Sequence, residues 1–436
     1  MISMAKKKRR KLNKNIFIIL GLSLILIGGI VLLNTNFNYV GVRSVHSDAK
    51  KYQTRHCLAF YPDSSQGKAM AKQICKDHKD EDEIYDYALI PYGDYYLVSY
   101  SEEYQFYADQ EYQPVSIETI SEKGTHIVAD YLRYTIKKER PEQYYDAEFI
   151  RSTAYENLNF DNVTYAIDGD SVACTMPDYD LVVDVPLKYL QEEIGMNFGY
   201  ASETYTKPTY IDDEHPVICF GFDDGPQFWY PSGETSTERI VDLLYEYDAS
   251  ATFFIVGDCL EERDAWSDYQ VTSFFTASIA QGNEYGSHTQ GHVVLTDLDT
   301  ADEIREEIEG PAETMYKLFG YQMKLYRPPE GSFNDNVLAN TDLCAILWDL
   351  DATDWSLRDG QEIYDKVIDW ADRGIIETGD VVCVHDIYDE TADAMEMLIP
   401  ELINRGYQIV TVSDMLEYLN IDSSTVKYFY SPTYYE

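Results

Sequence analysis

The chain has 436 residues, long for one domain, and its 45% hydrophobic content suffices for a sizeable core. It carries 34 basic and 77 acidic residues, a net charge of −43. So acidic a surface repels nucleic acid and other polyanions, which excludes nucleic-acid binding.

The charge is unevenly spread. Lys6, Lys7, Lys8, Arg9, Arg10, Lys11 and Lys14 fall within residues 1–15, with no acid among them, and this stretch reads as a cytoplasmic basic tail. Ile16 to Leu33, IFIILGLSLILIGGIVLL, carries no charge. As a helix it would reach about 27 Å, close to the hydrocarbon thickness of a bilayer. The bases before it predict an N-terminus inside and the remainder outside the cell. No small-x-small cleavage site follows Leu33, so a retained single-pass transmembrane helix in the cell membrane is expected rather than a removed signal peptide. Residues 34–51 are polar and aperiodic, as in a stalk.

Residues 52–199 predict a small α+β domain of unassigned role. Gly67 to Lys76 has helical spacing, and Asp94 to Ser101 alternates like a half-buried strand. Val163 to Ile167 and Ser171 to Cys174 flank Asp168-Gly169-Asp170, a hairpin signal. Val185-Pro186 predicts the start of a short helix that stops at Gly195. The tyrosines of this region could stack on sugar rings, although filling strand faces is their commoner use. Seven cysteines, an odd number without a CxxC pair, make neither a disulfide framework nor a cysteine-held zinc. Cys57 and Cys75 have the one local spacing that suggests a bridge, while Cys174, Cys219, Cys259, Cys344 and Cys383 read as buried thiols.

Residues 200–436 form the second predicted domain. From about Ile211, strand-length apolar runs alternate with helical segments: Val217 to Phe222, Ala251 to Val256, Cys344 to Leu350, Asp380 to His385 and Tyr407 to Val412. Thr235 and Glu238 are spaced as a capping box for a helix with Ile240, Leu244 and Tyr247 on one face. Such alternation predicts an α/β domain with a parallel sheet, open or closed into a barrel. In barrels, chemistry gathers where strands end, and the polar motifs of this chain sit there.

Asp223 and Asp224 close the first strand before a Gly-Pro turn, so one carboxylate can bind a metal while the other accepts a proton. His288 and His292 are four apart, a spacing that on a helical turn would let both hold one ion. Two histidines and a carboxylate leave positions open for water and substrate. Arg327, in Tyr326-Arg327-Pro328-Pro329-Glu330-Gly331, offers a rigid fork for a carboxylate. Asp351 to Trp355 is an acidic and aromatic strand end, and His385-Asp386 closes an apolar strand.

In this order, FDDGP, HTQGH, RPPEG, DATDW and VHD closely resemble the five motifs of the NodB-like polysaccharide deacetylases, carbohydrate esterase family four. The resemblance spans about Asp212 to Leu419. It implies a distorted (β/α) barrel and a divalent metal, with zinc first and cobalt, manganese or nickel as alternatives. It implies Asp224, His288 and His292 as ligands, Asp223 as general base and Arg327 as its holder. His385 would be the general acid, tuned by Asp351, and Trp355 would wall the acetyl pocket. Three positions depart from the family's pattern: Glu330 replaces a Tyr, Gly221 a Thr or Ser, and Cys383 an apolar Leu at the acetyl pocket.

The expected activity is removal of N-acetyl groups from polysaccharide, foremost N-acetylglucosamine of peptidoglycan. Chitin-type or poly-N-acetylglucosamine chains and O-acetylated xylan suit the same fold. A non-catalytic wall-binding barrel is the alternative of another class. Nothing in the sequence sets the oligomeric state.

Overall fold

The computed structural model describes residues 50–53, 57–61, 68, 71–72, 76, 85–92, 95–101, 113–115, 122–168, 171–190, 193, 205–227, 234–261 and 267–430. The tail, the membrane segment at 16–33 and the stalk lie outside the described residues, as does Cys75 and therefore its pairing with Cys57. Among the described residues no helix is long and apolar enough to cross a membrane.

The chain divides into two compact units. The first takes residues up to 128 and 159–203. It contains a sheet of β1 (Lys50–Gln53), β2 (Cys57–Tyr61), β3 (Tyr85–Tyr92) and β4 (Tyr95–Ser101), hydrogen-bonded in that order. A second sheet orders β5 (Gln113–Val115), β6 (Thr164–Asp168), β7 (Ser171–Met176) and β8 (Leu181–Pro186), all antiparallel. The expected hairpin is β6–β7, with Asp168 opposite Ser171. The short helix begins at Leu187, because Val185 and Pro186 complete β8, and its described part ends at Leu190. Lys68, Ala71, Lys72 and Lys76 are helical, within the segment of helical spacing. Of this region's tyrosines, to which sugar stacking was open, the side chains of β1–β4 lie outside the described set, while Tyr144 and Tyr165 are buried and present no open face.

The second unit takes residues 129–158 and 204–436. A boundary at residue 200 therefore misses a segment. Arg133, fully buried, donates from Nη1 to the Tyr245 carbonyl at 2.6 Å and from Nη2 to the Glu246 carbonyl at 2.9 Å. These are last-turn carbonyls of the helix Ser236–Glu246, which an arginine can satisfy. Ala147 N–H donates to Asn404 Oδ1 at 2.8 Å, and the Tyr145 hydroxyl donates to Asp212 at 2.6 Å.

The unit is built on β9 (Val217–Asp223), β10 (Thr252–Ile255), β11 (Glu284–Ser287), β12 (Leu325–Tyr326), β13 (Cys344–Ile346), β14 (Leu350–Asp351), β15 (Asp380–His385), β16 (Gln408–Val410) and β17 (Tyr428–Phe429). All pair in parallel, in the order β14-β15-β9-β10-β11-β12-β13-β17, with β16 against the first half of β9. The apolar run Cys344 to Leu350 is thus two strands, not one: β14 is one edge of the sheet, and β13 is next to the other edge, β17. The step from Ile346 to Leu350 can span at most about 14 Å, so the sheet must curl until its ends nearly meet. This curled parallel sheet agrees with a distorted (β/α) barrel.

Alternation within the strands separates two cores. Ile218, Phe220, Phe222, Val382 and Val384 pack on the outer side with the helices, among them Leu398 and Leu402 of Asp389–Asn404. Val217, Cys219, Phe254, Leu325, Ile346 and Val381 fill the inner side. Continuing the inner alternation upward brings Gly221 and Asp223 on β9, and Cys383 and His385 on β15, to the inner face. The register sets Cys383 opposite Gly221 and His385 opposite Asp223.

Candidate functional site

Arg327 follows β12 and is fully buried, so each donor needs an acceptor. Nη1 donates to Asp223 Oδ1 at 2.8 Å and to the Gly221 carbonyl at 3.2 Å. Nε reaches the Ile346 carbonyl at 3.2 Å and Nη2 the Leu347 carbonyl at 3.4 Å, at the start of the step that closes the curl. The guanidinium also lies 4.2 Å from the centroid of the Phe254 ring. An added Cβ on Gly221 would come within 2.3 Å of Arg327 Nη2, so a Thr or Ser there would displace the guanidinium from this position.

The other oxygen of Asp223 accepts from Cys383 Sγ at 3.5 Å. Burial, then the charge of Asp223, pushes the Cys383 thiol well above its ordinary range, so it stays protonated and can donate. The Cys383 side chain contacts the proposed base rather than merely lining an apolar pocket.

His288 lies just past β11, with Nδ1 2.8 Å from the Arg327 carbonyl. That nitrogen must carry the proton, which leaves the Nε2 lone pair free. Nε2 is 3.5 Å from Asp224 Oδ1, and His292 Nε2 is 3.2 Å from the same oxygen. The two histidines are not on a helical turn, as their spacing suggested. The segment is a loop, with Thr289 at φ 67° and His292 at φ 51°, and this reversal brings the second ring back beside the first. The ring centroids are 5.0 Å apart.

Asp224 Oδ1 is buried and accepts no hydrogen bond. Burial alone would raise this carboxyl, but the two imidazoles hold it well below the usual carboxylate range. An orphaned anionic oxygen facing two ring nitrogens, with all three ligand atoms within 4.8 Å of one another, fits a divalent cation. Asp223, Cys383 and His385 also converge within that distance. They fit a cation less well, because Arg327 already pairs with Asp223 and Asp354 with His385.

His385 closes β15. Its Nδ1 lies 2.8 Å from Asp354 Oδ1, and its backbone N–H donates to Asp354 Oδ2 at 2.7 Å. Burial would lower this imidazole, but the bond and charge of Asp354, with Asp223 and Asp224, lift it to about 9. The expected tuner, Asp351, does not face His385: its Oδ1 accepts the Thr353 N–H at 2.7 Å. Asp354 is the partner, buried as the first residue of the helix Asp354–Leu357, and it also accepts from Thr391 Oγ1 at 2.7 Å. A second residue is Asp386, which the sequence places in the last motif without a role. It is buried, accepts from Thr237 Oγ1 at 2.6 Å, and occupies the space a Cβ on Gly225 would need. Its place in the VHD motif was the sequence signal.

Trp355 is 54% exposed, a surface platform more than a buried wall. Glu330 is exposed in the turn Pro329–Gly331 at φ 56°. Asp224, Thr289, His292, Glu330, Thr353 and Arg358 all have positive φ. Strained backbone of this kind costs about 1–3 kcal/mol per residue and collects at sites that need fixed geometry.

Residues 211–346 match the family model described as polysaccharide deacetylase. Over 211 residues, 48% of this chain, the sequence is 33% identical to a peptidoglycan-N-acetylmuramic acid deacetylase, PdaC, of Bacillus subtilis, and the match takes in 41% of that protein. Over 216 residues it is 30% identical to a peptidoglycan-N-acetylglucosamine deacetylase of Bacillus cereus, covering 48% of this chain and 92% of that one. A solved structure of the Bacillus subtilis PdaC is 33% identical over 48% of this chain and 93% of that chain, with a TM-score of 0.41. The chain thus spans less than half the length of the Bacillus subtilis relative.

Proposed function

Since the chain belongs to the polysaccharide deacetylase family, we propose that it hydrolyses N-acetyl groups of a cell-wall polysaccharide, foremost N-acetylglucosamine of peptidoglycan. The observation that carries this is the pairing of β9 with β15, which sets Asp223 opposite His385, with Asp224 and the two histidines beside them. The names of the two Bacillus relatives support the substrate class.

Asp224, His288 and His292 would hold a divalent cation, zinc foremost, with cobalt, manganese or nickel as alternatives. Bound there, the cation supplies a Lewis acid that polarises the acetyl carbonyl and makes water easier to deprotonate. Asp223, with Oδ1 fixed by Arg327, presents Oδ2 to take the proton of the attacking water. His385, with Nδ1 tied to Asp354, keeps Nε2 for the sugar nitrogen and protonates it as the C–N bond breaks. Acetate and a free amine leave. Exposed Trp355 offers a flat face to a sugar ring.

The apolar segment 16–33 and the bases before it support retention in the cell membrane, with the site outside, facing the wall. The test is acetate release from N-acetylglucosamine oligomers and from O-acetylated xylan, with and without a chelator. Metal-dependent acetate from the amide substrate is expected, and none from either substrate refutes the proposal.

A further inference from the structure

The helix Asp354–Leu357 carries Asp354, which grips His385, then exposed Trp355, and is capped by Arg358. Arg358 adopts φ 51°, a left-handed conformation that is costly for a residue with a Cβ. Its guanidinium carbon lies 3.9 Å from the centroid of the Tyr388 ring, which is 5.9 Å from that of His385. A cation therefore stands one ring away from the proposed acid, in a chain of net charge −43.

That cation is held on one side and open to solvent on the other. Nη2 is 3.2 Å from Glu390 Oε2, while the side chain remains 47% exposed. Glu390 Oε2 is buried and accepts no well-aligned hydrogen bond. A simple surface ion pair needs neither a strained backbone nor a ring to lie on. Tyr388 holds the guanidinium by a cation–π contact and Glu390 anchors Nη2, while about half of the side chain stays open to solvent.

On the deacetylase reading above, we propose that Arg358 recognises a carboxylate of the substrate, so that the preferred glycan is an acidic one. The planar fork of a guanidinium matches a carboxylate at two points, and the exposed Trp355 nearby would carry the apolar face of the sugar ring. An acid ether on the sugar and a short peptide attached there both supply such a carboxylate, and the recognition chemistry is the same.

The full chain is assayed for acetate release on three soluble oligosaccharides of equal length: neutral N-acetylglucosamine, the same backbone carrying lactyl ethers, and the lactyl form capped by a short peptide with its own carboxylate. The unaltered chain should favour one acidic substrate over the neutral one, and which of the two it favours identifies the source of the carboxylate. Arg358→Gln should lower the acid-to-neutral ratio of kcat/KM by about tenfold, through KM. Arg358→Lys should recover part of that ratio, and Glu390→Gln, which frees Nη2, should raise it. Turnover with no acidic preference, or with a ratio that Arg358→Gln leaves unchanged, overturns the proposal alone. No turnover on any substrate overturns the deacetylase reading and this proposal with it.

Discussion

Asp354 holds His385 at two points, through the ring nitrogen at 2.8 Å and the backbone N–H at 2.7 Å. One carboxylate thereby sets both the position of the histidine and the orientation of its ring. Asp354→Asn should lower kcat by about 10²–10⁴-fold with KM little changed, as expected for a group that orients a general acid. Asp351→Asn, which loses only a turn contact, should cost less than about tenfold. Steady-state acetate release on both variants checks this, and a larger loss at Asp351 would reverse the assignment.

Gly221 touches the guanidinium that fixes Asp223, so crowding there should act on catalysis from a distance. Gly221→Thr should push Arg327 aside, lower kcat at least about tenfold, and destabilise the fold by about 1–3 kcal/mol. Denaturant melts and kinetics on one preparation separate the two effects. Full activity would mean that Arg327 can move freely.

The two adjacent aspartates should part company in metal content. His288→Ala should reduce bound zinc to a small fraction of one equivalent, because the orphaned oxygen of Asp224 loses a co-ligand. Asp223→Asn should retain the metal and lose most turnover. Elemental analysis after dialysis reads the stoichiometry, and loss of metal in Asp223→Asn would exchange the two roles.

Lys137 is buried against the Tyr144 ring, its ammonium 4.8 Å from the centroid. Burial pulls its pKa down from 10.5 to about 8. The native state therefore releases this proton before the unfolded state does, so stability attributable to Lys137 rises with pH between about 8 and 10.5. Below that window the charged lysine costs about 3 kcal/mol, partly offset by the ring. Lys137→Met should be more stable than the unaltered chain at pH 7, and the gap should narrow toward pH 10. Urea midpoints at both values test it; a gap that widens contradicts the sign.

The strands and the ends that carry chemistry were legible because apolar alternation and terminal carboxylates are local signals. What escaped depended on where the chain goes next. Cys344 to Leu350 is apolar on both sides of the closing step, so composition hides the break between β13 and β14. The four-residue spacing of His288 and His292 mimics a helical turn, and only the positive φ angles of Thr289 and His292 reveal the loop. Asp351 and Asp354 are three apart in one motif, and which one faces His385 is decided by the helix that begins at Asp354. The helix Glu122–Glu139 is amphipathic, but nothing within it says which core its inner face will join.

That last point bears on how the chain can be cut. A fragment beginning at Thr204 would keep all five motifs and still be an amputated protein. It would lack Arg133, which donates to the Tyr245 and Glu246 carbonyls, and would remove Ala147 from the core it shares with Leu398 and Leu402. The portable catalytic module of this protein is discontinuous in sequence, and its first essential stretch, residues 129–158, lies about fifty residues upstream of where the family signature would place the knife.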